Sequence, residues 1–146
     1  MDHDPYDLAR FVAAQERDYS GALAELKSGR KQSHWMWYIF PQFDGLGLSA
    51  MSKRYAIKSI DEARAYLDHP VLGPRLLSCI DALLAIEGRS AHDIFGSPDD
   101  LKLRSSATLF AHVSPPGSDF ERLLQKYFDG VHDDRTRHLV RTATAG

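Results

Sequence analysis

The stretch Pro70-Val71-Leu72-Gly73-Pro74-Arg75-Leu76-Leu77-Ser78-Cys79-Ile80-Asp81-Ala82-Leu83-Leu84-Ala85-Ile86-Glu87-Gly88 repeats its leucines and isoleucine at 72, 76, 77, 80, 83 and 84. That spacing is the period of an α-helix with one buried stripe, and its length and apolarity place it at the centre of a helical fold. Cys79 is the only cysteine of the chain and falls within this helix. It reads as a small buried hydrophobe rather than a reactive thiol, and it leaves no internal disulfide to be made.

Working outward, His69-Pro70 breaks the helix before it, which opens at Ser59-Ile60-Asp61-Glu62 with capping-box spacing and carries Ala63, Ala65, Tyr66 and Leu67. On the other side, Ser90 to Phe95 reads as a helical turn, and Ser97-Pro98-Asp99-Asp100 starts a helix bearing Leu101, Leu103, Leu109 and Phe110. Pro115-Pro116-Gly117 is a boundary. Phe120, Leu123, Leu124, Tyr127 and Phe128 share the next helix, Arg135 to Arg141 form the last, and the tail from Thr142 to Gly146 is expected to fray. At the start, Asp4 is placed as an N-cap with Pro5 at the first helical position and Asp7 at the third. Leu8, Phe11, Val12 and Gln15 then share a face, and a second helix from Tyr19 to Ser28 ends at Gly29. Ser49 caps a short helix reaching Tyr55. The expectation is an all-α single domain over residues 1–146, with seven or eight short helices around the central one near 70–88.

Composition bounds the function. With 43% apolar and 26% charged residues among 146, the chain has enough apolar surface to bury a core and too many aromatics for disorder. No run approaches the length of a membrane span, and the acidic start Met1-Asp2-His3-Asp4-Pro5 is unlike a secretory signal, so a cytoplasmic location is expected. A net charge of −2 argues against nucleic acid as the partner. The charge is uneven: Lys27, Arg30, Lys31, Lys53, Arg54 and Lys58 flank the aromatic segment, and between 27 and 58 only Asp44 opposes them. A local anion site is compatible with that asymmetry. Phosphate-loop, dinucleotide, nucleophile-elbow and zincin motifs are absent, and no two of the seven histidines stand three or four residues apart. No metal and no cofactor is expected.

The segment His34-Trp35-Met36-Trp37-Tyr38-Ile39-Phe40 shows neither clean alternation nor a polar face, so most of it must be buried. Its length suits helix or strand, and its neighbours favour helix. Beside it stand Lys31, Gln42 and the loop Gly45 to Ser49. Flat apolar walls with a few polar groups are what a small-ligand pocket needs. The other reading is a core segment whose polar atoms find backbone partners. In the pocket reading His34 is the candidate catalytic residue, an acid or base with an ordinary pKa near 6.5. Trp35 and Trp37 are walls, Lys31 and Arg75 charge partners, Gln42 and Ser49 polar contacts. For the polar groups elsewhere the structural readings lead. His69 caps the preceding helix, Arg75 makes a surface ion pair, and Asp133-Asp134 caps the helix after it. The group Asp100, Lys102, Ser105, Ser106 and Thr108 is a solvated face unless the fold brings it against the aromatic segment.

Gly29-x-Lys31-x-x-His34-Trp35-Met36-Trp37-x-x-Phe40-Pro41-Gln42-x-x-Gly45-Leu46-Gly47-x-Ser49 resembles the signature of the family called domain of unknown function 1810. Further matches are Tyr66-Leu67-x-His69-Pro70-x-Leu72-Gly73-x-Arg75-Leu76, Asp100-x-Lys102-Leu103-x-Ser105 and Thr108-Leu109-Phe110. The resemblance spans nearly the whole chain and implies an all-α fold with no established activity. Some members carry the label calpastatin, after a disordered protease inhibitor, which a chain with this apolar periodicity does not match. The function expected is therefore binding of a small anionic, ring-containing, nucleotide-like metabolite, with catalysis left open. The alternative is a noncatalytic interaction or homodimerisation module.

Overall fold

The computed structural model describes residues 3–145. Nine helices follow one another there: α1 (Ala9–Lys27), α2 (Met36–Ile39), α3 (Ala50–Arg54), α4 (Ile60–Asp68), α5 (Leu72–Ala85), α6 (Ala91–Phe95), α7 (Asp99–His112), α8 (Asp119–Phe128) and α9 (Asp134–Ala145). The all-α expectation holds, and the sole ladder contact among these residues is an isolated parallel bridge between Phe43 and Ile57. No helix among them is long and apolar enough to cross a membrane.

α5 is the central element, packed against α1, α4 and α8. Leu72, Leu76, Ile80 and Leu83 are buried on its inner face, with Cys79 beside them. Burial pushes the Cys79 thiol up to about 12, so it is inert as a nucleophile near neutral pH. α5 can start so close to α4 because position 73 is glycine: a Cβ there would lie 2.1 Å from the Leu67 carbonyl oxygen. His69 closes α4 as expected, its backbone amide donating to the Tyr66 carbonyl at 3.3 Å, and its side chain also caps α5, the Nδ1 accepting from the Val71 and Leu72 amides at 3.1 and 3.2 Å.

The N-terminal stretch differs from the expected pair of helices. α1 runs unbroken through Glu16-Arg17-Asp18, because these are competent helix formers and their polarity only marks a solvent face, where Glu16 and Arg17 are exposed. Asp4 does satisfy free helix amides, but from ahead of the helix: its carboxylate accepts from Leu8 at 2.8 Å and Ala9 at 3.0 Å. Those bonds, from Ala9 and then Leu8, hold its carboxyl below the usual range. Between them the chain turns through Asp7 at φ 50°.

The capping box predicted at Ser59 forms only in part. The Ser59 hydroxyl accepts from the Glu62 amide at 3.0 Å, but the Glu62 side chain is drawn away to Arg10 and the Lys58 amide. The full reciprocal box occurs instead at Ser90 and Asp93, opening α6. At the other end Asp133 caps α9 as expected, accepting from the Thr136 amide at 2.9 Å and its hydroxyl at 2.6 Å. α9 continues to Ala145, past the predicted end at Arg141, and Gly146 lies outside the described residues.

A relay of rings crosses the core. Phe11 meets Tyr66 edge-on at 5.1 Å, Tyr66 meets Phe110 at 5.4 Å, and Phe110 meets Phe120 at 5.6 Å. Such pairs add stability beyond the area they bury. One polar side chain sits beside them: buried Gln15 donates to the Tyr38 carbonyl at 2.7 Å and to the Tyr66 hydroxyl at 3.0 Å, tying α1 to α2 and α4. α7 is enclosed between α4, α6, α8 and α9. The expected solvated face at Ser105, Ser106 and Thr108 is therefore buried. The Thr108 hydroxyl donates to the Arg104 carbonyl at 2.8 Å and accepts from the Asp133 amide at 2.9 Å.

Candidate functional site

The aromatic segment makes a single helical turn, α2, with Trp35 before it and Phe40 after it. One turn cannot put seven large side chains on one face, so the segment divides. Trp35, Met36, Tyr38, Ile39 and Phe40 are buried, Trp37 is half-buried and His34 is exposed. Trp35 packs on Phe40 at 6.2 Å and on Phe95 of α6 at 6.4 Å, so it is a core ring.

What holds the basic turn against α2 is a residue that sequence reasoning missed. The Glu25 carboxylate, in the last turns of α1, accepts from the Gln32 amide at 2.6 Å and the Ser33 amide at 2.9 Å. It also accepts from the Ser33 hydroxyl at 2.7 Å and the Trp35 indole at 3.0 Å. Partial burial works against its charge, but these donors outweigh it and hold the carboxyl at about 2. Nothing in the local sequence marks Glu25, because an acid near a helix C-terminus looks like any exposed residue. Tyr38 is anchored similarly: its hydroxyl donates to Asp18, and burial followed by that carboxylate pushes its pKa up to about 12.

Lys31 is bound into the structure. Its ammonium lies 3.0 Å from the Asp99 carboxylate of α7 and 5.0 Å from the Trp35 ring centre, with its side chain only 8% exposed. Arg75 is also engaged elsewhere, 3.4 Å from Glu16 and stacked 5.0 Å over Tyr19, both on α1. Ser49 caps α3, accepting from the Ser52 amide at 3.1 Å. Of the residues singled out, the structure gathers Trp37, Gln42 and the glycine loop. They line one shallow depression with Phe43 and Ser52, whose free space of about 10 Å³ is the room of a single water. Gln42 is half-buried, and its carbonyl accepts from the Ile57 amide at 2.9 Å. Gly47 allows the loop to approach α3, since a Cβ there would fall 2.5 Å from the Ser52 Cβ.

The condition set for the α7 polar face is met at its first turns. Lys102 lies with its ammonium 5.5 Å from the Trp37 ring centre and 3.4 Å from Asp99, which thus stands between two cations. Two signature stretches distant in sequence, His34-Trp35-Met36-Trp37 and Asp100-x-Lys102, meet here. Sequence reasoning noticed Lys102 only as part of a face. No group of three histidine, cysteine or acidic residues suited to a metal occurs among the described residues.

No curated protein matches the chain. Among solved structures, the crystal structure of the conserved hypothetical protein Rv1873 from Mycobacterium tuberculosis is similar, with a TM-score of 0.93 and 51% sequence identity. The match covers 94% of this chain and 99% of that one. The family described as Protein of unknown function (DUF1810) matches over residues 5–140, nearly the whole length, and the chain belongs to that family.

Proposed function

We propose that the protein binds a small anionic, ring-containing metabolite on the surface formed by Trp37, Gln42 and Lys102, with His34 of the same segment as its acid or base. The observation that carries this reading is that Trp37 alone among the Trp, Tyr and Phe rings of segment 34–40 is left half-exposed, with the Lys102 ammonium, which it shares with Asp99, beside it and with Gln42 and Asp44 lining the same depression. The indole supplies a flat wall, Lys102 takes the charge-partner role first expected of Lys31 and Arg75, and Gln42 reads a polar edge. His34, exposed and three residues ahead of Trp37 in the segment, is assigned the proton exchange with a bound ligand that would give the site a route to catalysis. Trp35 and Lys31 then shape the surface from beneath.

The test is titration with nucleoside monophosphates, read by Trp fluorescence and calorimetry. Trp37→Ala and Lys102→Ala should each weaken binding about tenfold or more, the size expected from losing roughly 1.4 kcal/mol. Unchanged affinity in both variants would sink the reading.

A second reading is a homodimerisation surface, favoured by Leu48, 89% exposed, and Met51, 37% exposed, on the loop and helix beside the same depression. Light scattering over a range of concentration decides it. A dimer that Leu48→Ser dissolves supports it, and a monomer at all concentrations removes it.

A further inference from the structure

A second cleft lies apart from the Trp37 surface. It has a volume of about 440 Å³ and is bounded by the turn Pro5-Tyr6-Asp7, by Lys53 and Arg54 of α3, and by Lys58 and Ser59 ahead of α4. Its floor is built. The Arg10 guanidinium donates to the carbonyls of Tyr6 at 2.7 Å, Asp7 at 2.8 Å, Arg54 at 2.8 Å and Ala56 at 2.9 Å. It completes its set on Glu62 at 2.7 Å, and the two side chains are 9% and 4% exposed. Arg10 and Glu62 therefore cancel in charge and contribute shape.

The rim is different. Lys53 and Lys58 are exposed, and neither pairs with a carboxylate among the described residues. Arg54 is steadied over the Tyr55 ring at 5.5 Å, with its Nε 3.3 Å from the Tyr55 hydroxyl. Against these three cations, the lining offers one carboxylate besides Glu62, that of Asp7. Three cations left together on a chain of net charge −2 repel one another, and a bound anion relieves that repulsion. Pro5 and half-buried Tyr6 add an apolar wall, and the Ser59 hydroxyl, which accepts from the Glu62 amide, keeps its own proton to donate.

We infer that this cleft is a separate binding site for a small phosphorylated metabolite carrying at least two negative charges. Its volume is in the range of metabolite sites, and lysines and an arginine around one space suit phosphate oxygens. The inference uses none of the residues of the Trp37 surface, and the two stand or fall separately.

The probe is inorganic pyrophosphate, read by thermal unfolding against sodium chloride of equal ionic strength. At about 100 times its dissociation constant the wild-type midpoint should rise by roughly 5 °C or more. Lys53→Ala/Lys58→Ala should lose the rise while unfolding normally without the anion, since both side chains are exposed and free of ion pairs. Trp37→Ala should keep it. The assignment is overturned by a wild-type rise no greater than in chloride, by a rise that persists in the double lysine variant, or by its loss in Trp37→Ala.

Discussion

Arg10 and Glu25 stand near opposite ends of α1, and each gathers a loop onto the helix, but they do so by different chemistry. Arg10 is a mostly buried cation answered by one buried carboxylate and four carbonyls. Glu25 is a partly exposed anion answered only by neutral donors. Both oppose the helix dipole, a cation near the N-terminus and an anion near the C-terminus, at a cost of about 0.3–1 kcal/mol each. That they are nonetheless placed there says that fastening loops outweighs helix electrostatics at these positions. The difference lies in what removal leaves behind: an uncompensated buried charge at one end, and at the other a few neutral donors, those of Gln32 and Ser33 on exposed residues.

The largest expected effect therefore comes from Arg10→Met. It strands the Glu62 carboxylate in the interior, and denaturant unfolding should show a loss of about 3–5 kcal/mol. Adding Glu62→Leu should restore a good part of it, because the penalty is the orphaned charge and not the absent attraction. If the double variant is no better than the single, the contrast between the two ends of α1 fails.

Glu25→Gln should cost less, roughly 1.5–3 kcal/mol, the range for hydrogen bonds to a charged group. Its pH signature sharpens the comparison. The folded carboxyl is held at about 2, below its ordinary 4.5, so the stability it brings is full above about pH 4.5 and lost as the pH falls toward 2. The variant's stability should vary less than wild type across that window and approach it at the acid end. Equal slopes would mean that the Glu25 charge does not fasten the turn.

The smallest effect is expected at His34, which is exposed and whose imidazole takes no part in either knot. His34→Gln should change stability by less than about 0.5 kcal/mol. Any loss it causes should appear in ligand binding or turnover, and a stability loss above about 1 kcal/mol would instead make His34 part of the scaffold.

These contrasts also explain what could be read from the chain beforehand. The α5 stripe, the stop at Gly29, the boundary at Pro115-Pro116-Gly117 and the caps at Ser49 and Asp133 are local signals, and each appears where residue type and spacing put it. The continuity of α1 is hidden because Glu16-Arg17-Asp18 looks the same whether it is a linker or the wet side of a helix. The knots are invisible locally: Arg10 finds Glu62, and Lys31 finds Asp99, only after folding. The unusual mixture around Trp37 is legible in the sequence, but which cations pair within the fold is not. Lys31 pairs with Asp99 and Arg75 with Glu16, and Lys102, which shares Asp99 with Lys31, enters because α7 brings its ammonium over the Trp37 ring.

The unbroken α1 has one further consequence. At 1.5 Å of rise per residue it sets Arg10 and Glu25 about 22 Å apart along its axis, as a ruler between the 54–62 segment that Arg10 holds and the 32–35 turn that Glu25 holds. It also sets their phase. One residue inserted between them would rotate Glu25 about 100° around the axis and carry its carboxylate away from the 32–35 turn. The spacing of the two corners is thus a matter of register as much as of length.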